Sequence, residues 1–86
     1  MRIEYSKRSQ KSLTDIPIKM QVKIAKAIEG LTQNPPKGDI KTLEGFSDGR
    51  KRLRVGQYRV VYKYLDDGTI YVYVINIGVR GDIYKG

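Results

Sequence analysis

Three residue types are missing from this sequence of 86 residues: cysteine, histidine and tryptophan. The absence of cysteine excludes a disulfide framework and zinc or iron–sulfur centres with cysteine ligands. The absence of histidine excludes the Ser-His-Asp, Cys-His and paired-histidine arrangements of hydrolases and nucleases, and it removes the commonest metal ligand. We therefore expect a protein that uses no metal and no cofactor.

Long apolar runs are missing as well. No segment has the length of a membrane span, and the first residues lack the apolar core of a signal peptide. A chain of 86 residues has room for one hydrophobic core, and a hydrophobic content of 40% is sufficient to form it. The composition predicts a single soluble domain over residues 1–86, located in the cytoplasm and without a segment that enters the membrane.

Acidic residues are scarce relative to basic ones. The sequence has 17 lysines and arginines against 9 aspartates and glutamates, which gives a net charge of +8 at pH 7. A charge of this size on a small domain indicates a polyanionic partner. The composition alone allows nucleic acid, an anionic membrane or an acidic protein.

The first half of the sequence has the pattern of one strand and two helices. Residues 1–5 alternate in polarity and predict a short strand, and Ser6 is a suitable N-cap for a helix over residues 7–13. Pro17 suits the first turn of a second helix, which the prolines after Asn34 prevent from continuing. The apolar stripe predicted for this helix consists of Ile18, Val22, Ala25, Ile28 and Leu31, widened by Met20, Ile24 and Ala27.

The second half is rich in residues that favour β-structure. A loop is predicted over residues 33–47. Three strands are predicted after it, over residues 50–55, 58–65 and 69–77. Gly56-Gln57 and Asp66-Asp67-Gly68 have the composition of hairpin turns. The order β-α-α-β-β-β predicts an α+β domain in which a helical hairpin packs on one face of a twisted antiparallel sheet.

Side-chain alternation along these strands predicts a basic face. If Gly56 and Gln57 form a two-residue turn, Arg54 pairs with Arg59. The free face of the sheet then carries Arg50, Arg52, Arg54, Arg59 and Lys63. The face toward the helices carries Lys51 together with Leu53, Val55, Tyr58, Val60 and Tyr62. Residues 49–65 contain no acid, so the basic face is either solvated or bound to an anion. Arginine is the better bidentate ligand for phosphate.

The end of the sequence adds an arginine and a tyrosine to these cations. Arg80 stands between Gly78 and Gly81, and glycine permits close approach of the backbone to a ligand. Tyr84 has a ring that can stack on a base and a phenol that can exchange a proton. The alternative for Tyr84 is simple packing on the core.

Three segments together resemble the RelE/ParE toxin superfamily, with the closest similarity to its RelE branch. They are Leu43-Glu44-Gly45, the run RLRVGQYRVVY that begins at Arg52, and the run IGVRGDIY that ends at Tyr84. The resemblance spans nearly the whole chain. It implies the toxin of a type II toxin–antitoxin system, a ribosome-dependent endoribonuclease that cleaves messenger RNA in the A site. It also implies a metal-free reaction in which a ribose 2′-hydroxyl attacks the adjacent phosphate.

The resemblance implies a catalytic set as well. Its members are Arg50, Arg52, Arg59, Arg80 and Tyr84. Lysine is typical of the first two positions, and arginine there favours phosphate clamping over base catalysis because a guanidinium stays protonated. Tyr84 is expected to accept the 2′-hydroxyl proton, and Arg80 to hold the scissile phosphate and the leaving 5′-oxygen.

Further cations are expected to bind RNA without taking part in the reaction. Three of them accompany the catalytic set: Lys51, Arg54 and Lys63. The others lie on the helices and are expected to dock on ribosomal RNA, unless they form only a solvated face: Lys7, Arg8, Lys11, Lys19, Lys23 and Lys26. The resemblance implies three partners, namely the ribosome, messenger RNA and a small acidic antitoxin that joins the toxin in a hetero-oligomer.

Two other functions remain open on the sequence. A ParE-like inhibitor of DNA gyrase would have the same fold and no nuclease activity, although such chains tend to lack the terminal arginine and tyrosine. A module that binds RNA or the ribosome without any chemistry would use the same cations.

Overall fold

Five strands and two α-helices make up the part of the chain that the structure describes. The computed structural model describes residues 1–79. In chain order the elements are β1 (Ile3–Tyr5), α1 (Lys7–Thr14), α2 (Ile18–Glu29), β2 (Asp39–Thr42), β3 (Lys51–Val55), β4 (Tyr58–Asp66) and β5 (Ile70–Gly78). A short 3₁₀ helix, Gly30–Thr32, continues from α2. Within residues 1–79, neither helix has the length and apolar character needed to cross a bilayer.

The strands form one sheet in the order β1-β5-β4-β3-β2. The pairs β2–β3, β3–β4 and β4–β5 are antiparallel, whereas β1 runs parallel to β5. The α+β class and the meander of β3, β4 and β5 are confirmed. The sheet is mixed rather than wholly antiparallel, because two helices and three strands separate β1 from its partner and no hairpin turn sets its direction.

Strand β2 lies within residues 33–47, for which the sequence predicts a loop. Its four residues pair with β3 at the edge of the sheet, and Ile40 lies opposite Leu53. Ile40 is the one residue of β2 that is not exposed. A strand this short with one inward apolar residue has no alternating pattern from which it could be predicted. The backbone edge of β3 supplies the hydrogen bonds that order it.

Helix α1 begins where the sequence predicts it. The Ser6 Oγ accepts a hydrogen bond from the backbone N–H of Ser9 (3.0 Å) and donates one to the carbonyl oxygen of Ile75 (2.7 Å). The cap therefore also fixes the start of α1 against β5. Helix α2 begins one residue after Pro17, which occupies the N-cap position rather than the first turn.

The buried stripe of α2 is rotated relative to the prediction. Ile24 and Ile28 are fully buried, whereas Ile18 and Val22 are 74% and 53% exposed. Successive helical residues are about 100° apart, so a face centred on Ile24 leaves Ile18 and Val22 on the other side. The prediction is wrong for Ile18 and Val22. The spacing of apolar residues in the sequence allows two different buried faces for α2, and only packing against the sheet determines which face is buried.

Alternation along β3 and β4 separates the core from the basic face. The predicted core positions are all buried on the helix side of the sheet: Leu53, Val55, Tyr58, Val60 and Tyr62. The turn has two residues, Gly56 and Gln57, and it places Arg54 directly opposite Arg59. Gly56 has a φ of +60°, which suits the first turn position of a type II′ hairpin. The predicted register of this hairpin is confirmed.

Two tyrosines on the core side of β4 differ in their hydrogen bonding. The Tyr64 hydroxyl donates a hydrogen bond to the carbonyl oxygen of Leu31 (2.8 Å). Tyr62 is fully buried, and its hydroxyl has no hydrogen-bond partner within residues 1–79. Burial raises the pKa of the Tyr62 phenol, which therefore stays neutral. The Tyr62 hydroxyl thus loses water without compensation, at a cost of about 1–3 kcal/mol.

Phenylalanine substitutions at these two positions should change stability in opposite directions. Tyr62→Phe removes an unpaired polar group, and we expect its melting temperature to rise by about 4–8 °C if it recovers about 1 kcal/mol. Tyr64→Phe deletes a hydrogen bond and should lower the free energy of unfolding by about 1 kcal/mol. Thermal denaturation followed by circular dichroism measures both. An equal loss of stability in the two variants would contradict the absence of a partner for Tyr62.

Candidate functional site

A cleft on the free face of the sheet brings three arginines together. Arg52 and Arg54 come from β3 and Arg59 comes from β4, and all three lie on the side of the sheet opposite the core. The residues from Lys41 to Glu44 form the remaining wall. The cavity has a volume of about 530 Å³. We refer to it as the arginine cleft.

Arg54 and Arg59 repel each other across the hairpin. They occupy directly opposite positions on adjacent strands, where like charges destabilise a sheet. The Nη1 atom of Arg59 is buried and has no hydrogen-bond partner within residues 1–79. A guanidinium donor that is withdrawn from water and left unpaired is costly. The repulsion between Arg54 and Arg59 favours an anion bound between them.

Arg52 is oriented by the edge strand β2. Its Nη1 donates hydrogen bonds to the backbone carbonyl oxygen and to the Oδ1 of Asp39, both at 3.2 Å. The Arg52 side chain is 15% exposed, whereas that of Asp39 is 61% exposed. Because solvent screens such an exposed carboxylate, the ion pair orients Arg52 but neutralises its charge only in part.

Arg50 and Lys63 share one carboxylate, that of Asp48, which the sequence reasoning missed. The Asp48 Oδ2 lies 2.8 Å from Arg50 Nη2 and 3.2 Å from Lys63 Nζ, and the Arg50 guanidinium also stacks over the Phe46 ring at 4.2 Å. Hydrogen bonds from Arg50, and then from Lys63, hold the pKa of Asp48 well below its usual range. We call Asp48, Arg50 and Lys63 the Asp48 cluster.

The predicted basic face therefore exists but has two parts. Arg52, Arg54 and Arg59 line the arginine cleft, whereas Arg50 and Lys63 belong to the Asp48 cluster. Asp48 directly precedes the acid-free segment 49–65. Its place at the edge of that segment is the sequence signal from which its pairing with the basic residues could have been predicted. Arg54, expected only to bind RNA, lines the same cleft as Arg52 and Arg59.

The other predicted cations lie elsewhere. Lys51 pairs with Tyr62 in register and so lies on the core side, where its Nζ donates to the carbonyl oxygen of Gly49 (3.3 Å). The helical cations are all exposed and none of them lines the arginine cleft: Lys7, Arg8, Lys11, Lys19, Lys23 and Lys26. Arg80 and Tyr84 lie outside the described residues. Strand β5 ends at Gly78, directly opposite Arg59 and two positions before Arg80 in the sequence.

The arginine cleft offers fixed positive charge. Arginines stay protonated at physiological pH, so the cleft can bind and stabilise a phosphate but cannot remove a proton through these groups. Glu44 is the acidic residue that the structure places on its wall. Within residues 1–79, no group of three acidic, histidine or cysteine side chains is arranged to hold a metal ion.

Sequence and structure comparisons relate the chain to toxins of toxin–antitoxin systems, among them archaeal ones. Residues 3–84 match the family described as the ParE toxin of the type II toxin–antitoxin system parDE. A protein of Methanocaldococcus jannaschii that bears the toxin name RelE1 is 40% identical over 86 aligned residues, which cover 96% of this chain and 93% of that protein.

Two solved structures have the same fold. The archaeal RelE–RelB complex from Pyrococcus horikoshii contains a chain that superposes with a TM-score of 0.74 and 26% identity, over 93% of this chain and 94% of that chain. The RelB–RelE antitoxin–toxin complex from Methanococcus jannaschii gives a TM-score of 0.70 and 26% identity, over 95% of each chain.

Removal of the Asp48 carboxylate should strengthen anion binding. Asp48→Asn keeps the size of the side chain but frees Arg50 and Lys63 to bind other anions, so we expect tighter binding of a single-stranded oligodeoxynucleotide. Two freed cations should also steepen the salt dependence of binding by about 1.4 in the log–log slope. Fluorescence anisotropy over a range of salt concentrations measures both quantities.

Asp67→Asn is the matched control for this variant. It removes one carboxylate from the turn between β4 and β5, where Asp67 pairs with Arg2 rather than with the basic face. Equal gains of affinity in the two variants would mean that net charge alone is responsible, and that the Asp48 cluster has no specific effect.

Proposed function

The chain belongs to the RelE/ParE superfamily of toxins from type II toxin–antitoxin systems, and on this premise we propose that it is a ribosome-dependent endoribonuclease. Its proposed substrate is messenger RNA in the ribosomal A site. The observation that carries the proposal is the cleft on the free face of the sheet, which is lined by three arginines from adjacent strands, Arg52, Arg54 and Arg59.

The arginine cleft has the chemistry that a reacting phosphodiester requires. Planar guanidinium groups donate pairs of hydrogen bonds that match the spacing of phosphate oxygens. The three arginines are carried by adjacent strands, and Arg52 is also oriented by Asp39. Donors that are already in position stabilise developing charge without reorganisation during the reaction.

The proposed reaction exchanges one phosphorus–oxygen bond for another. The ribose 2′-oxygen forms a bond to the adjacent phosphorus, and the bond from that phosphorus to the 5′-oxygen of the next nucleotide breaks. The products are a 2′,3′-cyclic phosphate and a 5′-hydroxyl. We assign the phosphate oxygens to Arg59, Arg52 and Arg54, and the leaving oxygen to Arg80. The phenolate form of Tyr84 is proposed to accept the proton of the 2′-hydroxyl, and the leaving 5′-oxygen is proposed to take a proton from water.

Arg50 receives a role that differs from the one implied by the resemblance. Its guanidinium pairs with Asp48 and does not line the arginine cleft. We therefore assign Arg50 and Lys63 to a neighbouring phosphate of the RNA backbone, which would replace Asp48 as their anion. Because Arg54 lines the cleft, it takes the place of Arg50 among the ligands of the reacting phosphate.

Two macromolecular partners are proposed for the chain. The neighbouring structures from Pyrococcus horikoshii and Methanococcus jannaschii are toxin–antitoxin complexes, which supports a small antitoxin that joins this chain in a hetero-oligomer. The net charge of +8 on this chain favours an acidic antitoxin.

The ribosome is the second proposed partner. We assign docking on ribosomal RNA to the exposed cations of α1, namely Lys7, Arg8 and Lys11. Both interactions would take place in the cytoplasm.

Inhibition of DNA gyrase is the second candidate function. It is favoured by one observation, the match of residues 3–84 to the ParE toxin family. A gyrase inhibitor would need no phosphodiester site. A supercoiling assay run beside primer extension on a translated message separates the two candidates, because inhibition of supercoiling without RNA cleavage supports gyrase as the target.

Truncation of Arg59 should remove catalysis and leave the fold intact. Loss of one preorganised donor costs about a hundred- to a thousandfold in rate, and we expect Arg59→Ala to slow single-turnover cleavage on programmed ribosomes by that factor. Its melting temperature should not fall, because the substitution relieves repulsion with Arg54. Arg2→Ala is the matched control, since it removes the same charge from beside β1 at the far edge of the sheet.

Tyr84→Phe tests the proton acceptor in the same assay. A large loss of rate is expected if the phenolate takes the 2′-hydroxyl proton, whereas a retained rate would leave only a stacking role for the ring. Full activity in both Arg59→Ala and Arg80→Ala would refute the assignment of the nuclease site.

Charge reversal on α1 should weaken ribosome binding without changing the chemistry. The triple variant Lys7→Glu, Arg8→Glu and Lys11→Glu replaces three exposed cations that contact no part of the arginine cleft. We expect less toxin to co-sediment with ribosomes at moderate salt, because each lost phosphate contact lowers affinity. Cleavage at saturating ribosome concentration should be unchanged. Equal co-sedimentation of the variant and the parent would show that α1 is only a solvated face.

A further inference from the structure

A β-bulge in β5 determines which of its side chains reach the free face of the sheet. The register between β4 and β5 shifts at Ile75, an extra residue that has no register partner on β4. Alternation continued from the buried Ile77 would place Tyr73 in the core, but the residues buried beyond the bulge are Val72 and Val74. The bulge therefore turns Tyr73 to the free face. Bulges that redirect a side chain in this way are frequent beside functional sites.

Tyr73 lies beside the cations of the Asp48 cluster. It is directly opposite Lys63 on β4, and such pairs have Cβ atoms about 4.5–5.5 Å apart. The Lys63 Nζ lies 3.2 Å from the Oδ2 of Asp48, which also pairs with Arg50. Arg59 of the arginine cleft stands on the same face of β4, four residues before Lys63 and thus about 13 Å away. The free face is therefore continuous from the cleft, through the cluster, to Tyr73.

Tyr73 differs from the other aromatic residues on this side of the sheet. The Arg2 guanidinium lies over the Tyr71 ring at 3.9 Å, and the Arg50 guanidinium lies over the Phe46 ring at 4.2 Å. Within residues 1–79, neither a cation nor another ring stacks on Tyr73. Tyr73 is half-buried, so part of its surface contacts solvent. An aromatic side chain with this freedom, next to cations, is the combination that binds single-stranded nucleic acid.

We propose that Tyr73 stacks on a base of a single-stranded RNA whose phosphate is held by Lys63 and Arg50. Small RNA-binding domains use aromatic side chains on the face of a sheet in the same way. Every base has a π-face, so stacking on Tyr73 adds affinity without strong sequence preference. Identification of this strand as the messenger rests on the proposed function, whereas the stacking itself does not.

Acidic side chains mark the far end of this surface. Glu4 lies opposite Tyr73 on β1 and accepts a hydrogen bond from the Arg2 Nε at 2.6 Å, and Asp67 pairs with the same guanidinium. Because Arg2 is shared by two carboxylates, this edge of the sheet does not attract a phosphate. The bound strand should therefore extend from the arginine cleft to Tyr73. At the spacing of about 3.4 Å between stacked nucleotides, the 13 Å between Arg59 and Lys63 holds at most about four nucleotides.

Binding of two oligonucleotides to the full chain tests the stacking role. The probe is a single-stranded deoxythymidine decamer, which lacks the 2′-hydroxyl and so cannot react by the proposed chemistry. The control is a decamer of abasic sites, which has the same number of phosphates and no bases. We expect the deoxythymidine decamer to bind at least about tenfold more tightly, because only its bases can stack. Fluorescence anisotropy gives both dissociation constants.

Three variants locate the contribution of the ring. Tyr73→Val removes the ring but keeps a residue that favours strands, and it should weaken binding of the deoxythymidine decamer about tenfold and of the abasic decamer less than about twofold. Tyr73→Phe keeps the ring and should bind both decamers within about twofold of the parent. Lys63→Gln is the matched control, since it removes a phosphate ligand and should weaken both decamers by the same factor. Thermal melting verifies that the variants are folded.

Three results would overturn the stacking role. Equal losses for the two decamers in Tyr73→Val would mean that the bases make no contact with the ring. Equal losses in Tyr73→Phe and Tyr73→Val would assign the effect to the hydroxyl. Undiminished binding of the deoxythymidine decamer by Tyr73→Val would exclude nucleic acid from this side chain and leave it to a protein contact.

Cleavage on programmed ribosomes tests whether the stacked base belongs to the messenger. A base held away from the reacting phosphate contributes equally to substrate and transition-state binding. Tyr73→Val should therefore raise the half-saturating ribosome concentration and leave the single-turnover rate at saturation within about twofold of the parent. An unchanged half-saturating concentration would refute the assignment to the messenger. A parent chain that cleaves nothing would refute the proposed function, whereas the decamer measurements would still decide the stacking role.

Discussion

The pairing of β3 with β4 across a two-residue turn is the constraint on which the rest of the molecule depends. Gly56 adopts a positive φ that the turn requires, and the register that follows sends every side chain of the hairpin to a definite face. One face receives Leu53 and Val60, which are buried under the helices, and the other receives Arg54 and Arg59. A shift of one residue would bury the arginines and expose the core.

The two faces of this hairpin have opposite energetic effects. Repulsion between Arg54 and Arg59 opposes pairing of the strands, whereas burial of the apolar face favours it by about 1.5–3 kcal/mol for each large side chain. Burial is the larger effect, so the charged face persists without a bound anion. Asp48 and Asp39 reduce the remaining repulsion, and each pairs with an arginine outside the Arg54–Arg59 pair. The arginines that keep most of their unpaired charge are those beside the turn.

Sequence reasoning recovered the features of this fold that are local. The turn at Gly56–Gln57, the alternation of β3 and β4 and the Ser6 cap follow from neighbouring residues, and each lies where it was predicted. Features that depend on distant residues were missed. Strand β2 is ordered by β3, the buried side of α2 is selected by the sheet, and Asp48 meets Lys63 only because the hairpin brings them together. The family resemblance implied the proposed catalytic set, but only the structure shows that Arg50 pairs with Asp48 whereas Arg52 and Arg59 line the cleft.

The parallel pairing of β1 with β5 has a consequence for the synthesis of this protein. Translation produces β1 first, and its partner strand β5 is the last strand of the described chain to be made. The sheet therefore cannot be completed before β5 has been synthesised. Contacts between such distant segments also form slowly, because a long loop must close before they gain any stability. The nascent chain thus cannot complete its sheet until β5 has emerged from the ribosome that makes it.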